Sequence, residues 1–271
     1  VCMATDAGQY TTLSESMNPL ELHELINRYY ATMFPYVKSF QGMISDVIGD
    51  AMLALWVAVQ QQPKARQNAL EAALQIRTAV QEFNRTQQHP LPTRFGLHYG
   101  EMRIGNVGAG DHFEYRAIGD IINTTTRIEN LNKQLNTQIL VTESVIDGLE
   151  DYFLRDLGRF VLKGKTLPVN LYELIDHKDR IEEHWLPLIN EFSQALKLFQ
   201  SSQWKEALQT FLKIHHAYPE DGPTLFYVKY LKKQLPLPGF SKMTEHNTGD
   251  AAHIETKQPS KQNIFIEIVD N

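Results

Sequence analysis

Apolar residues run along the first two thirds of the chain in alternating strand and helix rhythms. Residues 1–5 form a short apolar run that stops at Asp6 and reads as a strand, followed by a Gly/Thr/Ser-rich turn. From about Pro19, Leu22, Leu25, Ile26, Tyr29 and Met33 recur at helical spacing. Within residues 42–57, two apolar runs flank Ile48-Gly49-Asp50 and predict a hairpin. A second helix is expected over residues 65–83, with Ala69, Ala72, Ala73, Ile76 and Val80 on one face. After His89-Pro90-Leu91-Pro92 come strands near 94–99, 103–107 and 113–117, then a helix running through Asn132. Strands near 139–141, 160–162 and 171–174 complete the series. Strand, helix, hairpin, helix, strand is the order of a ferredoxin-like βαββαβ sheet with helices on one face. An α+β domain is therefore expected over residues 1–176.

From about Arg180 the pattern becomes purely helical. Leu188, Phe192, Ala195, Leu196 and Phe199 make one apolar face, and Ala207, Leu208 and Phe211 the next, before Pro219 and Gly222-Pro223 break it. Trp204, Ala207, Phe211 and Pro219 resemble one tetratricopeptide-like helix pair in a small all-α appendage over residues 180–236. One such unit falls short of the three or so that repeats of this kind need to stand alone. Residues 239–271 read as a disordered polar tail, in which 264–269 is apolar enough to add a strand.

Composition narrows the partners. The formal charge of −6 and the lack of a Lys/Arg stripe argue against a nucleic-acid polymer. Cys2 is the sole cysteine, which excludes an internal disulfide or a thiolate zinc cluster. No apolar run reaches the ~20 residues of a membrane span, and no signal peptide is evident. The chain starts at Val1 inside a strand-like run, so the expectation is a cytoplasmic piece of a longer parent. That parent would carry an upstream sensor or membrane domain, and could be membrane-anchored through it.

Asp6 and Asp50 each follow an apolar run, and two carboxylates at neighbouring strand ends suit a divalent-metal site. Hard cations such as Mg²⁺ take oxygen ligands and leave room for substrate phosphates. Either Asp alone reads as a cap or turn residue. The wider pattern decides between these readings. ATDAGQYTTLSE, SDVIGDAMLALW, RFGLHYGEMRIGNVG, YRAIGDIINTTTRIE and LGRFVLKGKTLPVNLYEL, in that order, resemble the catalytic domain of class III nucleotidyl cyclases. These convert a nucleoside triphosphate to a 3′,5′-cyclic nucleotide and pyrophosphate.

The resemblance implies that Asp6, Asp50 and the Ala7 carbonyl hold two divalent cations, Mg²⁺ or Mn²⁺. It gives triphosphate binding to Gly8, Gln9, Tyr10, Thr11 and Lys165, with Lys163 as the second choice for the lysine. Amides that precede a helix suit an anion, and an ordinary cap by Thr11, Thr12 or Ser14 is the plainer reading of that turn. Asn123 and Arg127 match the pair that orients the ribose and stabilises the α-phosphate. They lie four apart on a predicted helix, and so on one face. The resemblance further implies a homodimer whose sites each draw on both copies.

Three positions depart from the family pattern. Asp46 stands where adenine-selective members have Lys and guanine-selective ones Glu, and Arg116 stands at the other base-recognition position. A carboxylate at 46 can accept from guanine N1–H and N2–H while Arg116 donates to O6; alternatively the two side chains pair with each other. Pyrimidine triphosphates stay open. His112 stands near a position where many members have a phosphate-facing Arg, and histidine is only partly charged at neutral pH. His98 reads as structural. By family frequency, ATP is the expected substrate and cAMP the product. The alternatives are a guanylate or other base-specific cyclase, and an inactive dimerisation or nucleotide-sensing module. A diguanylate cyclase is disfavoured because Ile48-Gly49-Asp50-Ala51-Met52 is not its signature hairpin.

Overall fold

The computed structural model of the chain describes residues 1–58, 62–235 and 265–268. It divides into one unit from Val1 to Ile181, rejoined by the chain at Glu267, and a second unit that begins at Glu182.

The first unit is built on a mixed sheet. Strands β1 (Cys2–Ala7), β2 (Met43–Ile48), β3 (Ala51–Leu55) and β4 (Thr93–His98) lie in the order β4-β1-β3-β2. All three pairings are antiparallel. Helices α2 (Pro19–Ser39) and α3 (Gln62–Arg85) connect them, giving the ferredoxin-like βαββαβ arrangement expected from the sequence. Beyond β4 the sheet continues through β7 (Ile139–Thr142), which the short helix α5 (Glu143–Ile146) follows in the chain, and then β9 (Val169–His177) and β8 (Tyr152–Val161). β10 (Ile266–Glu267) forms its edge, and the Ile268 amide donates to the Val161 carbonyl at 3.1 Å. Of the expected tail, 239–264 and 269–271 lie outside the described residues.

Period-two alternation sends the strand side chains to two different layers. Val1, Met3, Met52, Ala54, Phe95 and Leu97 pack against Leu25, Tyr29 and Met33 of α2 and Ala69, Ala73 and Ile76 of α3. Their neighbours Cys2 and Leu55 point to the opposite face and meet Ile121 of α4 (Asp120–Leu135). The expectation of helices on one face therefore holds for α2 and α3, whereas α4 covers the other face. Ile121, Ile128, Leu131 and Leu135 of α4 are buried. Each contributes about 1.5–3 kcal/mol by leaving water.

α4 sits directly on β4 because residue 96 is glycine. A Cβ there would lie 2.4 Å from the Glu129 amide nitrogen and 2.7 Å from the Thr125 carbonyl oxygen. The Asn132 side chain then ties the helix down, donating to the Phe95 and Glu129 carbonyls at 2.9 Å each. Thr137 donates back to the Asn132 side chain at 2.8 Å.

Some elements differ from the sequence reading. α1 (Tyr10–Ser16) replaces what read as a turn. β8 runs over ten residues rather than three, with register shifts that accommodate Asp156, whose carboxylate accepts from the Gly158 amide at 2.8 Å. Its polar residues hid the alternation. β5 (Arg103–Ala109) and β6 (His112–Ile118) form a separate two-stranded ribbon that exposes Phe113, Tyr115 and Ile118.

The second unit comprises, among the described residues, α6 (Trp185–Gln200), α7 (Trp204–Ala217) and α8 (Gly222–Gln234). Phe192, Phe199, Phe211 and Tyr227 form its aromatic core, with the Phe211 and Tyr227 rings stacked at 4.8 Å. Gly222-Pro223, read as a break, opens a third helix, because Pro suits the first helical turn and Asp221 caps the Thr224 amide at 3.0 Å. No helix among the described residues is long and apolar enough to cross a membrane.

Gly96→Ala is expected to destabilise the first unit by at least about 1–3 kcal/mol, since backbone rather than a movable side chain blocks the new methyl. Gly105→Ala, with no atom within 4 Å of its Cβ position, is the matched control. Urea denaturation midpoints of the two variants measure the difference.

Candidate active site

Asp6 is the penultimate residue of β1, and Asp50 occupies the β2–β3 turn beside the neighbouring strand. The register pairs Thr5 with Met52, which brings the two acids to the same end of the sheet. Gly49, with φ of 62°, makes the tight turn. The buried Tyr30 hydroxyl reaches the carbonyls of Gly49 at 2.8 Å and Ala51 at 3.2 Å, bracketing Asp50. The Ala7 amide donates to Asp50 Oδ2 at 2.9 Å. Burial, and then the charge of Asp6, push the Asp50 carboxyl above its ordinary range. A carboxylate pushed up by burial and by a neighbouring carboxylate is a donor that a cation relieves.

Asp6 has cationic neighbours. Arg94, its cross-strand partner on β4, bonds Asp6 Oδ2 at 2.5 Å, and Lys133 of α4 reaches the same oxygen at 3.2 Å. Arg94 Nε also lies 3.4 Å from Oε1 of Glu129, whose side chain is only 4% exposed. Burial, followed by the charge of Asp6, pushes the Glu129 carboxyl up to about 7. Among the described residues no cluster of three or more His, Cys, Asp or Glu could hold a metal. Asp6 and Asp50 offer hard oxygen donors of the kind that leave coordination positions for phosphate.

The turn after β1 leads straight into α1. The Gly8 amide is committed to the Pro92 carbonyl at 2.7 Å, and Gln9, at φ 72°, occupies the N-cap position without a side-chain cap bond. The Ser14 hydroxyl donates to the Thr11 carbonyl at 2.7 Å instead of capping the start. The plainer reading of this turn, a cap by Thr11, Thr12 or Ser14, is not what forms. The first-turn amides of a helix have no partner within it. The Tyr10 ring lies against Gly49, 3.3 Å from its Cβ position, joining this turn to the Asp50 turn.

Asn123 and Arg127 share one face near the start of α4, Asn123 exposed and Arg127 half-buried. The Arg127 guanidinium lies 3.3 Å from the Cβ position of Gly164, in the β8–β9 loop that carries Lys163 and Lys165. Lys165 pairs with Asp120, and that bond holds the exposed Asp120 carboxyl below its usual range. Asn123, Arg127 and Lys165 thus gather along the first half of α4. The helix runs antiparallel to β4, with Asn132 at Phe95 and Ile121 beside Gly100. Lys133, beside Asp6, is ten residues beyond Asn123, or roughly 15 Å along the axis. Within one chain the two carboxylates stand by the last turn of α4, Asn123 near its first turn and Arg127 midway between.

Asp46 and Arg116 do meet. Arg116 Nη2 lies 3.4 Å from Asp46 Oδ2, while its Nε is held by Glu114 at 2.6 Å. Asp46 Oδ1 also accepts from the Val47 amide at 3.0 Å. His112 sits 3.6 Å from Glu114 on the same face of β6. His98 contacts the Thr142 hydroxyl at 2.9 Å, and burial lowers its pKa to about 4, so the ring is neutral. The sequence reading missed Arg94, Glu129, Lys133 and Glu114. The alternation His112-Glu114-Arg116 and the helical spacing of Glu129 and Lys133 were the available signals.

Residues 1–186 match the family model described as the adenylate and guanylate cyclase catalytic domain. Adenylate cyclase 1 of Rhizobium meliloti is 32% identical over 178 residues, covering 64% of this chain and 27% of that protein. The adenylate cyclase of Anabaena cylindrica is 34% identical over 181 residues, covering 62% of this chain and 35% of that protein. The chain thus spans about a third or less of the length of these relatives. A bacterial light-regulated adenylyl cyclase structure superposes with a TM-score of 0.57 at 22% identity, covering 65% of this chain and 90% of that one. The guanylyl cyclase Cya2 gives 0.57 at 23%, covering 67% and 93%. At such identities the structures speak for the fold, while the family model covers most of the chain. This chain belongs to the adenylate and guanylate cyclase catalytic-domain family.

Proposed function

We propose that the chain is a nucleotidyl cyclase that closes a nucleoside triphosphate to its 3′,5′-cyclic monophosphate and releases pyrophosphate. The observation that carries this reading is the Asp6/Asp50 pair on adjacent strand ends, with the Ala7 amide bridging to Asp50 at 2.9 Å. Asp6, Asp50 and the Ala7 carbonyl would hold two divalent cations. When bound, these acidify the ribose 3′-hydroxyl and neutralise the triphosphate. The 3′-oxygen attacks the α-phosphorus, the bond to the β-phosphate oxygen breaks, and the hydroxyl proton passes to solvent.

Each side chain has a part in that displacement. Arg127 offers its planar fork to the α-phosphate oxygens as their charge grows. Asn123, one helical turn away, orients the ribose. Lys165 leaves Asp120 for the terminal phosphates, and the loop from Gly8 to Thr11 cradles the chain of phosphates through its amides. Because the Gly8 and Ala7 amides are already engaged, Gln9, Tyr10 and Thr11 supply the donors.

The separation of the two groups along α4 supports a head-to-tail homodimer in which each site takes its carboxylates from one copy and Asn123, Arg127 and Lys165 from the other. The exposed Phe113, Tyr115 and Ile118 of the β5–β6 ribbon and Ile48 at the β2–β3 tip support the same reading, since they gain by being covered. ATP is the substrate this reading favours, because the Rhizobium meliloti and Anabaena cylindrica relatives, at 32% and 34% identity, are named adenylate cyclases. A second reading, GTP, is favoured by the Asp46–Arg116–Glu114 cluster, whose two carboxylates suit guanine's N–H donors.

Asp6→Ala and Asp50→Ala are each expected to lower Mn²⁺-supported cyclic nucleotide formation by at least about 100-fold, the scale of losing a principal electrostatic group. Full activity in either would remove the two-cation assignment. Mixing Asp50→Ala with Arg127→Ala chains is expected to restore activity through the one intact site of the heterodimer. No recovery would count against shared sites. Incubating the purified chain separately with ATP, GTP, CTP and UTP and identifying the product by mass discriminates the two base readings. Turnover of GTP alone would overturn the ATP assignment.

A further inference from the structure

We propose that Arg94 and Lys133 are built-in counter-cations of Asp6, which hold its carboxylate in the cation-free protein and compete with an incoming dication, thereby setting the metal requirement of the site. The inference rests on the reading of Asp6 and Asp50 as metal ligands.

Both cations reach a single oxygen, Asp6 Oδ2, at 2.5 and 3.2 Å. Neither is there by chance of a long side chain. Arg94 is the cross-strand partner of Asp6 in the β1–β4 ladder, on the face covered by α4. Its Nε is directed by Glu129, and its own side chain is 21% exposed, so the guanidinium has little freedom to swing away. Lys133 follows Glu129 by one helical turn, on a helix whose height over the sheet is fixed by Gly96 and by the Asn132 clamp. With α4 so placed, Lys133 of its last turn and Arg94 of β4, steered by Glu129, bring one half-exposed and one fixed cation to the same carboxylate.

The electrostatic consequence has two parts. Asp6 and Asp50 repel one another, and Arg94 and Lys133 offset that repulsion when no metal is present. The same two charges repel a dication approaching Asp6. A site with such neighbours takes up metal more weakly on its own. It is completed when a triphosphate adds further negative charge, so that metal and nucleotide arrive together. Arg94 and Lys133 are positioning residues here and need not touch substrate.

Lys133→Met is the informative variant, because the side chain is 48% exposed and its loss leaves the buried Glu129–Arg94 pair intact. Mn²⁺ alone, titrated without nucleotide and read by the electron paramagnetic resonance signal of free Mn²⁺, is expected to bind Lys133→Met roughly two- to tenfold more tightly than the unaltered chain. Lys133→Arg keeps the charge and is expected to restore the original affinity. Raising salt to 0.5 M is expected to shrink the difference, which loss of a merely structural contact would not do. Unchanged or weaker Mn²⁺ binding by Lys133→Met would overturn the proposal. Asp6→Asn, titrated in parallel, separates the two levels of failure. If it binds Mn²⁺ as well as the unaltered chain does, the metal-ligand reading itself falls, and the counter-cation proposal with it.

Discussion

The contact on which the catalytic unit depends is the bare backbone of Gly96 under α4. With no side chain between them, Glu129 and Thr125 approach the strand so closely that a methyl at 96 would overlap their backbone atoms. That closeness sets the height and polarity of the helix. Its last turn then falls over Asp6 and its first turn beside the β8–β9 loop. Two chemically different groups of side chains owe their positions to one missing Cβ. Asn132 reinforces the arrangement from the far end, because its amide satisfies a strand carbonyl that would otherwise be buried without a donor.

Much of this was legible in the residues. The β1–β3–β4 alternation and the helical rhythms of α2 and α3 follow from apolar spacing, so the core could be read without contacts. The acids at 6 and 50, and the Asn123/Arg127 pair, could be picked out as candidates because each sits in a local motif that resembles the family's. What escaped were features created by docking. Arg94 and Asp6 are 88 residues apart, and Arg94 and Glu129 are 35 apart, so neither bond has a local signature. α1 was read as a turn because its Thr and Ser residues bond locally and favour caps over helix interiors. β8 was shortened because Arg155, Asp156 and Arg159 interrupt the apolar pattern that marks a strand.

The residues that departed from the family pattern also find their account in the fold. Asp46 and Arg116 lie on β2 and β6, strands of different sheets that nevertheless meet here. The sequence left two readings open, a base-reading pair or a mutual ion pair. In the structure Arg116 is shared between Asp46 and Glu114, which makes the mutual pair a fact of the isolated chain. A nucleobase would have to exchange with it. An arginine already oriented by a second carboxylate loses less freedom on meeting a ligand than a solvated one does.

β10 carries a different kind of consequence. The chain leaves the catalytic sheet after β9, makes the helices α6 to α8, and pairs with β8 at 266–267. In the chain, the helical unit is thus followed by a strand that pairs with β8. A fragment trimmed just after α8 would keep every residue of the proposed site, yet it would uncover the hydrogen-bonding edge of β8. Bare edges of that kind pair with other chains. For such a fragment, sticking to its own copies would say nothing about how the intact protein assembles.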